Sequence, residues 1–127
     1  MLKRVIAAVL LLCSAVGISA WAGHVFRTEM NGLLLSLNEI VDSAENDTES
    51  ELTEKTERLL LQWHKSSEIL HSLVMHEGMD DVEENITSLP LILEHSDREE
   101  FRSKCIEAIS QIENLLNSER LKTENIF

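Results

Sequence analysis

Hydrophobic residues recur at helical spacing along most of this chain. After an apolar N-terminal segment, steps of three and four residues separate the apolar positions in four successive stretches. The first two stripes are Phe26, Met30, Leu33, Leu37, Ile40, Ala44 and then Leu52, Thr56, Leu59, Trp63, Ser67, Leu70, Val74. The other two are Met79, Val82, Ile86, Leu89, Leu93 and then Phe101, Cys105, Ala108, Ile112, Leu115. Each stripe predicts an amphipathic helix that buries one face.

Local signals predict where these helices begin and end. Residues 48–51 and 97–100 fit the pattern of helix N-terminal caps. Gly78 predicts an end or bend of the second helix, and Pro90 predicts a kink or stop of the third near Leu89. Short connections make neighbouring helices antiparallel. The predicted fold is all-α, with an N-terminal transmembrane helix followed by a small antiparallel bundle of three or four helices.

The N-terminal segment has the length and composition of a membrane span. Residues 5–26 contain no Asp, Glu, Lys or Arg, and a helix of that length spans about 33 Å against about 30 Å for the hydrocarbon core. Lys3 and Arg4 would stay in the cytoplasm, and Trp21 suits the far interface. We therefore expect a single-pass cell-membrane protein with its C-terminal domain outside the cytoplasm. The alternative is a secreted protein whose N-terminal segment is a signal peptide that is cleaved near Ala22.

The predicted domain division has three parts. Residues 1–26 are the membrane anchor (or signal peptide), residues 27–119 are the extracytoplasmic helical domain, and residues 120–127 are a C-terminal tail that lacks the apolar stripe. No proline or turn cluster separates the anchor from the first stripe, which favours one uninterrupted helix through both. Cys105 is the only cysteine of the outer domain, and its position on the fourth stripe predicts a buried thiol.

The charge balance narrows the classes of function. The chain of 127 residues carries 23 acidic and 11 basic residues, a net charge of −12, and all the acidic residues follow the apolar segment. Such a surface disfavours nucleic-acid binding, which depends on Lys and Arg. The sequence contains no glycine-rich phosphate loop and none of the common metalloprotease, hydrolase or thiol-redox motifs. We expect a protein that is not an enzyme and holds no cofactor.

One candidate site lies at residues 76–84. His76, Asp80 and Glu83 are spaced by four and three residues, which places them on one side of a continuous helix. The carboxylate oxygens of the acidic patch suit a divalent cation, and the same patch suits docking of a basic partner. Acidic residues are also favoured in the first turn of a helix by its dipole, so a solvated helix start accounts for the same pattern.

A weaker candidate lies on the second predicted helix. His64, Glu68 and His71 share one side of that helix at a spacing that suits a transition metal. No other predicted helix supplies a matching Glu-x-x-His pair. A half-buried polar border beside the core stripe is the competing interpretation.

The order of these features resembles a known family. The features are the N-terminal apolar helix, Trp63, the segment with His76, Asp80, Val82 and Glu83, the last amphipathic helix, and the ending Asn125-Ile126-Phe127. This order is similar to small membrane-anchored helical proteins of Gram-positive, often spore-forming bacteria, a family catalogued as a domain of unknown function. The resemblance implies an anchor and an outer domain, and it implies no activity.

Two hypotheses for the function follow. The first is a non-catalytic interaction module of the cell envelope, held by its N-terminal helix and binding another envelope protein. The second is a small sensor that binds a cation or ligand at the patch formed by residues 76–84.

Overall fold

The structure is a computed structural model that describes residues 1–73 and 78–126. It consists of four α-helices, namely α1 (Leu2–Ser43), α2 (Glu49–Leu73), α3 (Met79–His95) and α4 (Arg98–Ile126). The described residues contain no β-strand. The all-α prediction is confirmed, with four helices.

The helices form a closed ring of antiparallel neighbours. α1 packs on α2 and α4, and α3 packs on α2 and α4, while the described backbone shows no close approach across either diagonal. Between α1 and α2, the Ser36 hydroxyl donates to Oε1 of Gln62 at 2.6 Å. Between α4 and α1, Arg98 Nη1 donates to the carbonyl of Ala44 at 3.4 Å. Short connections therefore give the up-down-up-down arrangement expected for a small bundle.

The predicted stripes form the core. The bulkiest fully buried side chains are Trp63, Phe26, Phe101, Met30, Leu33, Leu37, Ile40, Leu52, Leu59, Leu70, Ile86 and Leu89. Cys105, Ala108 and Ile112 are equally buried and continue the stripe of α4. Val74 lies outside the described residues. Burial of one face of every helix is the main source of stability in a domain of this size.

Both predicted N-terminal caps are present. The Thr48 hydroxyl accepts a hydrogen bond from the amide of Glu51 at 3.2 Å. The Asp97 carboxylate accepts one from the amide of Glu100 at 2.7 Å. Each cap satisfies an amide that has no partner within its own helix.

Gly78 stands at the start of α3 in the left-handed conformation, with φ +98° and ψ −11°. This region favours glycine because a Cβ there collides with the backbone. A Cβ on Gly78 would also lie 3.1 Å from Cδ2 of Leu115 on α4. The helical pattern is thus interrupted where the sequence predicts, although residues 74–77 lie outside the described part.

Of the kink or stop predicted near Leu89, the stop is wrong. α3 continues through Pro90 to His95. Proline removes one helical hydrogen bond, but Ile86, Leu89 and Leu93 are all buried on the flanks of Pro90. Packing of these three side chains outweighs the local preference of one residue.

The C-terminal residues are helical for longer than the apolar stripe. α4 runs to Ile126, through most of the segment 120–127 that was expected to be a tail. Loss of the stripe therefore does not mark the end of the helix.

Candidate functional site

The first half of α1 projects from the bundle. Residues 1–21 are all exposed, and Ala22 is the first buried residue of the helix. An 18-residue window in this helix has a mean hydropathy of 2.3 and is only 6% buried. By length and composition, α1 can cross a membrane, and a signal sequence near the N-terminus has the same properties.

The apolar segment and the bundle share one continuous helix. α1 runs from Leu2 to Ser43 without a break, and the core side chains begin one residue after Trp21, which is 56% exposed. A helix of 20 residues spans about 30 Å. The segment that stands clear of the bundle is therefore as long as the hydrocarbon core is thick.

The structure places two of the three residues of the first candidate site on α3. Asp80 is exposed in the first turn of α3, and Glu83 is half-buried one turn later. His76 lies outside the described residues. Asp80 and Asp81 occupy the first turn of α3, where the helix dipole favours negative charge.

The second candidate set lies on the outer face of α2. His64, Glu68 and His71 are all exposed. Within the described part of the chain, no three His, Cys, Asp or Glu side chains are grouped so that they could hold a metal ion. Neither metal hypothesis gains a geometric basis from the residues described, and His76 is not among them.

A row of polar side chains joins α1 and α2, and the sequence patterns do not single it out. The Ser66 hydroxyl, on α2, donates to Oε2 of Glu29 at 2.5 Å. The Ser36 hydroxyl donates to Oε1 of Gln62, which lies one turn of α2 nearer the loop between α1 and α2. A Cβ on Gly32 would lie 3.2 Å from Nε2 of Gln62, so the Gln62 side chain packs directly against Gly32. The signal available in the sequence was the run of small and polar residues beside the apolar stripes.

Lys55 is the last residue of this polar row, next to the loop between α1 and α2. Its ammonium group donates to Oδ2 of Asp47 at 2.7 Å and to the Ser43 hydroxyl at 3.1 Å, and it lies 4.0 Å from Oε1 of Glu39. The hydrogen bond from Lys55 lowers the pKa of Asp47 below 3.8. The same bond raises the pKa of Lys55 above 10.5. This pair therefore ties the loop to α2.

A surface groove of about 260 Å³ follows this row. It is lined by Ser36, Glu39, Ile40, Lys55, Arg58, Leu59 and Gln62. Because Ser36 and Gln62 bond each other and Lys55 bonds Asp47, these groups already have partners within the protein. The groove is a seam between α1 and α2.

Two further predicted core residues are confirmed. Burial raises the pKa of the Cys105 thiol to about 12, which makes it a poor nucleophile. Trp63 is 1% exposed, and its indole N–H has no hydrogen-bond partner among the described residues. The apolar surroundings of both side chains agree with a structural role.

Comparison with known proteins gives one family. The family model for a domain of unknown function, DUF4363, matches residues 20–126. This chain belongs to the DUF4363 family. In this member the match begins at the end of the exposed apolar segment and covers the entire bundle. No curated protein and no solved structure matches the chain.

Proposed function

We propose that this DUF4363 protein is a single-pass membrane protein whose four-helix domain is a non-catalytic interaction module outside the cytoplasm. The observation that carries the proposal is the exposed first half of α1. An apolar helical face of this length is unfavourable in water, and a bilayer is the environment that matches its 20-residue extent. The orientation follows from Lys3 and Arg4, the basic residues that precede the span.

The packing of the outer domain favours binding over catalysis. The polar groups that lie between α1 and α2 bond one another, and the only cysteine of the domain is a buried thiol with a raised pKa. The outward surface is rich in carboxylates, in keeping with the net charge of −12. A surface of this kind suits recognition of a basic face on another envelope protein.

Protease digestion of intact and permeabilised bacterial cells tests the topology. With a C-terminal tag, we expect digestion of the tag in both samples and retention of the protein in membranes after alkaline washing. A tag that is protected in intact cells contradicts the orientation. A mature protein that starts at Gly23 and leaves the membrane establishes the signal-peptide alternative.

Pull-down from membrane extracts tests the interaction module. We expect a specific partner to bind the full chain in detergent and to be lost from a variant with Asp80→Lys and Glu83→Lys. Glu54→Lys is the matched control, because Glu54 is an exposed carboxylate near the opposite end of the bundle. A partner that binds all variants equally contradicts a role for the patch at 76–84.

A further inference from the structure

We propose that the end of α4, residues 120–126, is a second membrane contact that lies in the lipid headgroup layer beside the point where α1 enters the bilayer. This placement rests on the proposed function, because it takes the exposed half of α1 to be embedded in the membrane. The partner of α4 is the lipid surface itself.

The register between α1 and α4 shows which residues of the two helices lie at the same height, or level, along the bundle axis. Arg98 donates to the carbonyl of Ala44 at one end of the pair. At the other end, a Cβ on Gly23 would lie 3.7 Å from Oε1 of Glu119. The same number of residues separates these points on both helices, so α1 and α4 run antiparallel in constant register. Glu119 thus lies level with the start of the buried part of α1.

α4 continues beyond that level. The residues from Arg120 to Ile126 are still helical, and at about 1.5 Å per residue they add about 10 Å. If both helices continue straight, the end of α4 reaches the level of Val16, about 7.5 Å beyond the level of Trp21. Headgroup layers are about 5–7 Å thick on each side of the hydrocarbon core, so this stretch has the length to cross one.

The opposite edge of the bundle ends earlier. The start of α3 meets α4 at Leu115, where a Cβ on Gly78 would lie 3.1 Å from its Cδ2. This level is about one helical turn further from the apolar span than Glu119. Ser66 of α2 meets Glu29 of α1, which places Leu73, the end of α2, near the level of Ala22. Of the described helix ends on that side of the bundle, α4 therefore reaches furthest toward the membrane.

The residue types at this level suit a bilayer interface. Leu121 is 54% exposed, and Trp21, at the same level on α1, is 56% exposed. By sequence, the segment contains two basic residues, Arg120 and Lys122, and one acidic residue, Glu124, in a domain that is otherwise strongly acidic. Apolar side chains at the acyl boundary and basic groups near lipid phosphates are the combination found in helices that lie at membrane surfaces.

Fluorescent labelling of the full chain in lipid vesicles tests the contact. A Cys13→Ser background leaves Cys105, which is buried and does not compete for the label. Single variants Leu121→Cys, Trp21→Cys and Leu91→Cys each carry an environment-sensitive dye, in vesicles of phosphatidylcholine and phosphatidylglycerol with a quencher attached to the lipid headgroup. Leu91 is the matched control, because it is 62% exposed and lies on α3 toward the far end of the bundle.

We expect the dye at positions 121 and 21 to lose most of its emission to the lipid quencher, while the dye at position 91 keeps its emission. If position 121 behaves like position 91 while position 21 is quenched, the contact of α4 is refuted and the membrane anchor stands. If position 21 is not quenched, the anchor itself is refuted, and the contact of α4 with it. Circular dichroism of each labelled variant verifies that the helices are intact.

Discussion

At the residue scale, Gly78 is the most constrained backbone position in the described structure, because its φ is +98°. Gly78→Ala places a side chain in the left-handed region at a cost of about 1–2 kcal/mol, and the new Cβ lies 3.1 Å from Leu115. We expect a lower melting temperature by circular dichroism in detergent. Gly23→Ala is the control, because its Cβ makes only ordinary contacts at 3.7 Å. Equal stability of the two variants would contradict this account of Gly78.

The pair of Asp47 and Lys55 predicts a pH dependence at the same scale. Lys55 lowers the pKa of Asp47 in the folded state. The stabilisation from this pair is therefore complete at a pH above the pKa of Asp47 in the unfolded chain, and it is lost as the pH falls through the lower pKa of the folded state. The raised pKa of Lys55 has the opposite sense, so its contribution is complete below pH 10.5 and is lost as the pH rises through the raised value.

We therefore expect Asp47→Asn to lower the stability near pH 7, and we expect the difference from the unchanged protein to shrink below about pH 4. Urea denaturation of both proteins between pH 2.5 and pH 8, about the range that brackets the carboxyl pKa, measures it. Glu54→Gln, at an exposed carboxylate of α2, is the control. A difference that stays constant down to the lowest pH would show that the ion pair has no part in it.

At the scale of the helices, the two N-terminal caps should each contribute to stability. Thr48→Ala removes the acceptor for the Glu51 amide, and Asp97→Ala removes the acceptor for the Glu100 amide. Each substitution is expected to lower the free energy of unfolding by about 1 kcal/mol. Because Glu49 and Asp97 line one pocket at this end of the bundle, the double variant measures whether the two losses add or the caps are coupled. Ser50→Ala, at an exposed position in the first turn of α2, should leave the stability unchanged.

Pro90 shows why helix ends are harder to predict than helix faces. The local rule that proline ends a helix is correct for a chain without tertiary contacts. In α3 the rule fails because Leu89 and Leu93, on both sides of Pro90, are buried against the other helices. The buried face of α3 could be predicted from the residue spacing alone, whereas the length of α3 depended on the helices against which that face packs.

At the scale of the whole molecule, cation binding has a measurable consequence. A cation that binds only the folded state at a hundredfold excess over its Kd adds about 2.7 kcal/mol, which corresponds to a rise in melting temperature on the order of 10 °C. We expect no such rise with calcium, magnesium or zinc, because the helix dipole and solvation suffice to explain Asp80 and Asp81. Calorimetry of the full chain with each cation, and with chelator, measures it.

A rise with one cation would restore the hypothesis of a sensor at residues 76–84. The variant with Asp80→Asn and Glu83→Gln should then abolish the rise. The variant with His64→Ala and His71→Ala distinguishes that site from the weaker candidate on α2.

The sequence by itself determined the helical stripes, the buried position of Cys105, the two caps and the apolar segment of α1. These follow from local chemistry, because a helix in water must bury its apolar face and satisfy its terminal amides. Only the tertiary structure decided that α3 passes Pro90, that Glu29 and Ser36 of α1 and Asp47 of the loop meet polar residues of α2, and that α4 reaches past Gly23. Those features depend on the register between helices that are distant in sequence, and register is set by how whole faces pack together.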